Sequence, residues 1–226
     1  IVNCYNYQKP APGKPSLISY DDVTTIFHEF GHSIHGMFAS QKYPSLSGTN
    51  VPRDFVEFPS QINEHWALDP VVLKNYALHY ETKQPIPQAL VDKIKKAATF
   101  NQGYMTTELV SAAALDMDWH TVTNESQLTP VLDFEKQSLA NHGFTLATVP
   151  PRYHTPYFAH IWGGGYSAGY YAYLWSETLD NDAWEWIKNN GGLTRENGDR
   201  FRKYILSVGN SVDLNQAFRD FTGHDP

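Results

Sequence analysis

Apolar residues recur at helical intervals early in the chain: Val23, Ile26, Phe27, Phe30, Ile34, Met37 and Phe38 form one stripe, while His28, His32 and His35 fall together on another. Ser19 precedes this stretch as an N-cap, and Asp21 and Asp22 follow in the first turn, where carboxylates favour the positive helix end. The spacing predicts a helix over Tyr20 to Phe38. Further helices are predicted over Glu57 to Trp66, Pro70 to Tyr80, Pro87 to Phe100, Tyr104 to Asn124, Val131 to Asn141, Gly165 to Leu179, Asp182 to Asn189, Thr194 to Ser207 and Ser211 to Phe221, several of them opened by Pro or by Ser/Thr/Asp. Ile1 to Tyr7 is β-prone and runs into a Pro/Gly-rich turn, Lys9 to Pro15; Lys83 to Pro87 and Asn190-Gly191-Gly192 mark later breaks. The pattern describes a mainly α fold with a little β near the N-terminus, with no internal repeat and no linker long enough to divide the chain.

Composition narrows the function more than the fold. A hydrophobic content of 41% with 14% aromatic residues supports a buried core. A net charge of -7 and a pI near 5.8 argue against a nucleic-acid partner, and no apolar run approaches membrane-spanning length, so no membrane partner is expected either. The single cysteine, Cys4, excludes an internal disulfide, reads as a small buried hydrophobe and fits a reducing compartment; a cytoplasmic location is the expectation. The chain starts without methionine and reads as cut from within a longer protein.

The chemistry enters with His28-Glu29-Phe30-Gly31-His32, an H-E-x-x-H pattern inside the first helix. Imidazoles at i and i+4 share a helical face and can clasp zinc, with the intervening glutamate as general base. Chance alone produces this pattern on the order of once in fifty chains of such composition, so the helical context and a third ligand matter. A metzincin would carry glycine and histidine where His35 and Phe38 stand, which leaves a glutamate on a following helix to complete a His₂Glu set. Glu57 and Glu64 are the first two glutamates downstream, and their spacing leaves both open. Asp22, Asp54 and Glu64 are candidates to orient the ligand imidazoles, Glu64 through one continuous helix shared with Glu57. His35 could reach the same face as His32, as a neighbouring or channel residue.

Three strings carry a family resemblance: His28 to His35; Glu57 in F-V-E-F-P-S-Q, 25 residues after His32, within Ser47 to Trp66; and H-I-W-G-G-G-Y-S-A-G-Y-Y-A-Y-L-W, His160 to Trp175. They resemble the M3 family of zinc metallopeptidases over nearly the whole chain, most of all its bacterial dipeptidyl carboxypeptidase branch. The resemblance implies a multi-helix zincin catalytic domain of the neurolysin type, of which residues 1–226 form the C-terminal part. It implies His28, His32 and Glu57 as ligands of one zinc ion per chain, Glu29 as the base that activates water, and His160, Tyr166 and Tyr173 as residues that line the substrate and stabilise the reaction intermediate. It also implies short peptides as substrates, and an N-terminal helical portion of the protein that completes a deep channel.

Phenol and imidazole donors aimed at a developing oxyanion suit that role. Tyr166 and Tyr173 lie seven residues apart and would share a face if a helix already ran from Tyr166, while Tyr170, Tyr171 and Trp175 read as packed core aromatics. Gly163-Gly164-Gly165 lacks the G-K-[ST] ending of a phosphate loop and reads as a hinge that lets His160 and Tyr166 close over a peptide. The activity that the resemblance implies requires a hold on the substrate's free carboxylate, for which an arginine fork or tyrosine hydroxyls are suited, and Arg152, with Arg53 behind it, is the candidate anchor. Release of C-terminal dipeptides, which the resemblance of the His160-to-Tyr166 stretch with its three glycines to the dipeptidyl carboxypeptidase branch implies, is the leading expectation. The alternatives are an endo-oligopeptidase of the same family and a non-catalytic zinc-stabilised peptide-binding module, against which the intact Glu29 speaks.

Overall fold

A computed structural model describes all 226 residues as an assembly of helices: α1 Tyr20–Met37, α2 Arg53–Val56, α3 Phe58–Glu64, α4 Pro70–Tyr76, α5 Gln88–Ala97, α6 Gln102–His120, α7 Val131–Asn141, α8 Ala159–Trp162, α9 Ala172–Asn189, α10 Arg195–Phe201 and α11 Leu214–Thr222. No sheet forms, and the only β feature is an isolated bridge between Leu78 and Pro85. The strand expected at Ile1 to Tyr7 is therefore corrected. That segment has no partner strand to satisfy its backbone, Ile1 and Val2 are exposed, and Tyr5 and Tyr7 stack on each other. Cys4 is likewise exposed rather than buried.

The chain divides into two compact units, Ile1–Asp92 with Ser176–Pro226, and Lys93–Trp175. No linker marks the division, because the crossings fall inside α5 and α9. The first unit packs around Phe55, Phe58, Ile62, Leu179, Ile187, Ile205, Phe218 and Phe221, each such side chain contributing roughly 1.5–3 kcal/mol when fully buried. The second has a smaller centre of Ala112, Phe158, Ile161 and Tyr170, with Trp119, Tyr153 and Tyr173 against it.

Local chemistry sets the element ends that matter for the site. Ser19 and Asp22 form a reciprocal capping box at the start of α1, worth about 1 kcal/mol. The apolar stripe of α1 is only partly covered: Phe30, Met37 and Phe38 are exposed, while the buried residues of the helix are Gly31 and His35 on one side and Ser33 on another. The helix expected from Glu57 to Trp66 is α3, which passes into a 3-10 turn at His65–Leu68; the short α2 ahead of it is not part of that expectation, and Pro59 sits in the first turn of α3, where its missing N–H costs nothing. Conversely, α9 runs straight through the break expected near Leu179. Asp180 directs its carboxylate to His65 Nε2 at 2.7 Å and Asn181 bonds the carbonyl of Glu177, so neither side chain competes for the backbone ahead of it. The helix expected from Gly165 starts only at Ala172, and the expected helix over residues 194 to 207 passes into a π-helical turn at Arg202–Leu206.

Candidate metal and catalytic site

In the first unit the H-E-x-x-H face of α1 meets the α2–α3 junction. Glu57 Oε2 lies 3.1 Å from His28 Nε2 and 3.2 Å from His32 Nε2. Tetrahedral zinc with ligand bonds near 2.0–2.1 Å holds its donor atoms about 3.3 Å apart, so these separations fit a zinc ion coordinated by all three side chains. No other group of three or more His, Cys, Asp or Glu side chains gathers in this way. The two glutamates left open by spacing take different places on one imidazole: Glu57 faces Nε2, and Glu64 Oε1 accepts from His28 Nδ1 at 2.7 Å. Glu64 thereby fixes the ring orientation that presents Nε2 to the metal position. Asp22 is occupied with the cap of α1.

Electrostatics point the same way. Burial alone would suppress protonation of His28, but hydrogen bonds to Glu57 and Glu64 outweigh it and carry the pKa up to about 10. Two carboxylates on one imidazole make a place that demands positive charge, whether as a proton or as a cation shared with His32. Glu57 is almost fully buried, and the Ser60 hydroxyl donates to its carboxylate at 3.0 Å. Glu29 is half-buried on the same helical turn.

Two supporting residues were not foreseen from the sequence. Ser60 is one; Asn63, whose Nδ2 donates to the carbonyl of Phe27 at 2.6 Å and ties α3 to the metal helix, is the other. A Ser three residues after a glutamate is a weak signal, and an Asn beside one is weaker still. Gly31 permits the approach that makes these contacts: a Cβ there would stand 2.6 Å from Ser60 Cα and 2.7 Å from the carbonyl oxygen of Pro59. His35 is not a channel residue. It is completely buried, neither ring nitrogen has a partner, and burial followed by repulsion from His32 lowers its pKa to about 4.

The second unit gathers a different set. Tyr166 and Tyr173 stack with ring centroids 5.2 Å apart and planes within 14°, and His160 lies 6.1 and 6.3 Å from them. They meet without a shared helix, because a turn containing Ala168 at φ +51° returns the chain between them. Tyr170 is buried as expected, but Tyr171 and Trp175 are exposed rather than core residues. At the glycine run, Gly164 packs so closely that a Cβ would meet His160 Cα at 2.8 Å, and the Tyr166 N–H donates to the carbonyl of His160. Arg152 donates to Glu108 at 3.2 Å and lies over the ring of Tyr153, with its side chain 42% exposed.

Comparison with known proteins matches this arrangement to one family. The model of peptidase family M3 matches residues 1–226. The chain is 55% identical over 226 residues to the dipeptidyl carboxypeptidase of Escherichia coli K12, covering all of this chain and 33% of that protein, and 54% identical to its Salmonella typhimurium counterpart with the same coverage. It is 35% identical to oligopeptidase A of Salmonella typhimurium, covering 98% of this chain and 32% of the relative. The chain thus spans about a third of the length of these relatives. A full-length family match, together with a His₂Glu cluster on the H-E-x-x-H helix, establishes that the chain belongs to peptidase family M3.

Proposed function

We propose that this chain carries the zinc-binding catalytic part of a peptidase that removes dipeptides from the C-terminus of short peptides. The observation that carries the reading is the position of Glu57, one oxygen within 3.2 Å of a nitrogen on each motif histidine, with Glu64 behind His28. His28, His32 and Glu57 would hold one zinc ion. When bound, zinc supplies Lewis acidity toward a peptide carbonyl and makes water more acidic. Glu29, on the same turn of α1, is the base that takes the proton from the attacking water and can return it to the leaving amine. His160, Tyr166 and Tyr173 are donors to the oxygen that gains charge as the carbonyl is attacked; this assignment rests on the sequence match and on their mutual packing. Arg152 is the proposed anchor for the free carboxylate, since bonds to Glu108 and Tyr153 still leave some of its five N–H donors for a ligand.

Identity of 55% and 54% to two dipeptidyl carboxypeptidases, against 35% to an oligopeptidase A, favours dipeptide release over internal cleavage. Mass spectrometry of digests of one defined peptide separates the two: stepwise loss of dipeptides is expected, and internal fragments alone would reverse the order. Zinc analysis combined with Glu29→Gln tests the mechanism. The variant should keep its zinc and lose at least about 10²-fold in cleavage rate, the scale of general-base catalysis. Cleavage surviving at the wild-type rate would refute it.

A further inference from the structure

We infer that Asp116 is a positioning residue which holds the Tyr166–Tyr173 segment in the conformation that stacks its two phenols; the inference rests on the reading above that those phenols serve the reaction. Asp116 sits on α6 with no exposed surface. A buried carboxylate is tolerated only when its lone pairs are used, and here they are used on one distant loop. The Ala168 N–H donates to Oδ1 at 3.0 Å and the Tyr170 N–H donates to Oδ2 at 2.8 Å, while His120, one turn further along α6, bonds the backbone carbonyl of Asp116 through Nδ1 at 2.9 Å and brings that nitrogen within 2.8 Å of Oδ1.

The loop needs such a hold. Ala168 stands at φ +51°, a left-handed conformation that costs a non-glycine residue about 1 kcal/mol or more and persists only where its surroundings impose it. Asp116 bonds the N–H of Ala168 itself and of the second residue after it, so the carboxylate fixes both sides of the strained position. Tyr170, held by its backbone, buries its ring against His160 at 5.4 Å and Tyr173 at 5.2 Å. From the other side, His120 packs against Trp162, just ahead of the glycine run. Two residues one turn apart on α6 therefore hold the segment at both of its ends.

Asp116→Asn tests this, because it preserves volume while presenting an NH₂ to one of the two N–H groups. In the active peptidase the expected result is a kcat lowered about tenfold with KM within about twofold, since loss of orientation acts on the reacting geometry more than on binding. Hydrogen exchange at the Ala168 and Tyr170 amides should quicken at least about tenfold, while zinc content stays the same. Ala168→Gly, which removes the left-handed strain, should restore part of the kcat when combined with Asp116→Asn. If Asp116→Asn does not fold, His120→Gln replaces it, with a smaller fall in kcat and faster exchange at the same two amides. Unchanged kcat and unchanged exchange, in a background where Tyr166→Phe and Glu29→Gln both impair cleavage, would overturn the role of Asp116 and leave the proposed function standing. If Tyr166→Phe itself leaves kcat intact, the assignment of the phenols fails and the catalytic role of Asp116 falls with it.

Discussion

Both units pair a buried carboxylate with an imidazole, Asp180 with His65 in the first and Glu135 with His154 in the second, but their remaining buried charges are arranged differently. In the second, the carboxylate of Asp116 is consumed by two backbone N–H groups with the His120 imidazole beside it, and Glu135 by His154 and the backbone of Thr155. In the first, Glu57, His28 and His32 turn their donor atoms toward one another, and His35 is buried with both nitrogens unpartnered. Groups bonded to a distant backbone fix that backbone; side chains whose donor atoms converge on one point form a place where a proton now held by His28 and its carboxylates can be exchanged for a cation. That difference is what the proposed ion site and the proposed positioning residue rest on.

His35 gives the sharpest test, since its analogue in the second unit, His120, is paired. An unfolded imidazole takes its proton near 6.5, whereas His35 in the fold takes one only near 4, so between these values the unfolded chain binds the extra proton and acid favours unfolding. Stability present above pH 6.5 should fall by roughly 3 kcal/mol as pH drops to 4, and denaturant titration of His35→Leu should lack that component. Identical pH curves for the two proteins would remove His35 as the source.

Glu64→Gln comes next. It keeps a hydrogen-bond acceptor for His28 Nδ1 but removes a charge, and calorimetry should find zinc affinity weakened about 10–100-fold. An unchanged affinity would mean that Glu57 alone organises the ring. Gly31→Ala should destabilise by about 1–3 kcal/mol and weaken zinc binding along with stability, because the new Cβ must push α1 away from Ser60. A thermal shift without any metal effect would separate packing from coordination. Arg152→Ala carries the smallest effect, a few-fold loss confined to peptides with a free carboxylate; equal loss on C-terminally amidated peptides would end its assignment as anchor.

Much of the first unit was legible in the sequence because its logic is local. The capping box at Ser19, the i, i+4 histidines and the glutamate between them all lie within one helix, and periodicity reads helices well. Spacing stopped at Glu57 against Glu64 because both touch His28, on different nitrogens, and a count along the chain cannot distinguish two sides of a ring. The second unit was less legible. Tyr166 and Tyr173 were paired by a helical count, yet a left-handed alanine and a carboxylate 52 residues away bring them together. Nothing in the stretch around Asp116 signals that its partner is a backbone so remote. The strand expected at the N-terminus and absent from the fold has the same origin: β-propensity is a property of residues, whereas a strand needs a neighbour.

Motif notation writes His28-Glu29-Phe30-Gly31-His32 with two free letters, but the packing treats those letters unequally. Phe30 is 48% exposed, while Gly31 faces the backbone of Ser60 and Pro59 with no room for a single carbon. A library randomised at both positions and selected for zinc-dependent cleavage would return varied residues at position 30 and glycine at position 31. The information content of the motif in this fold is therefore nearer four specified letters than three, and a search that demanded the glycine would discard many accidental matches.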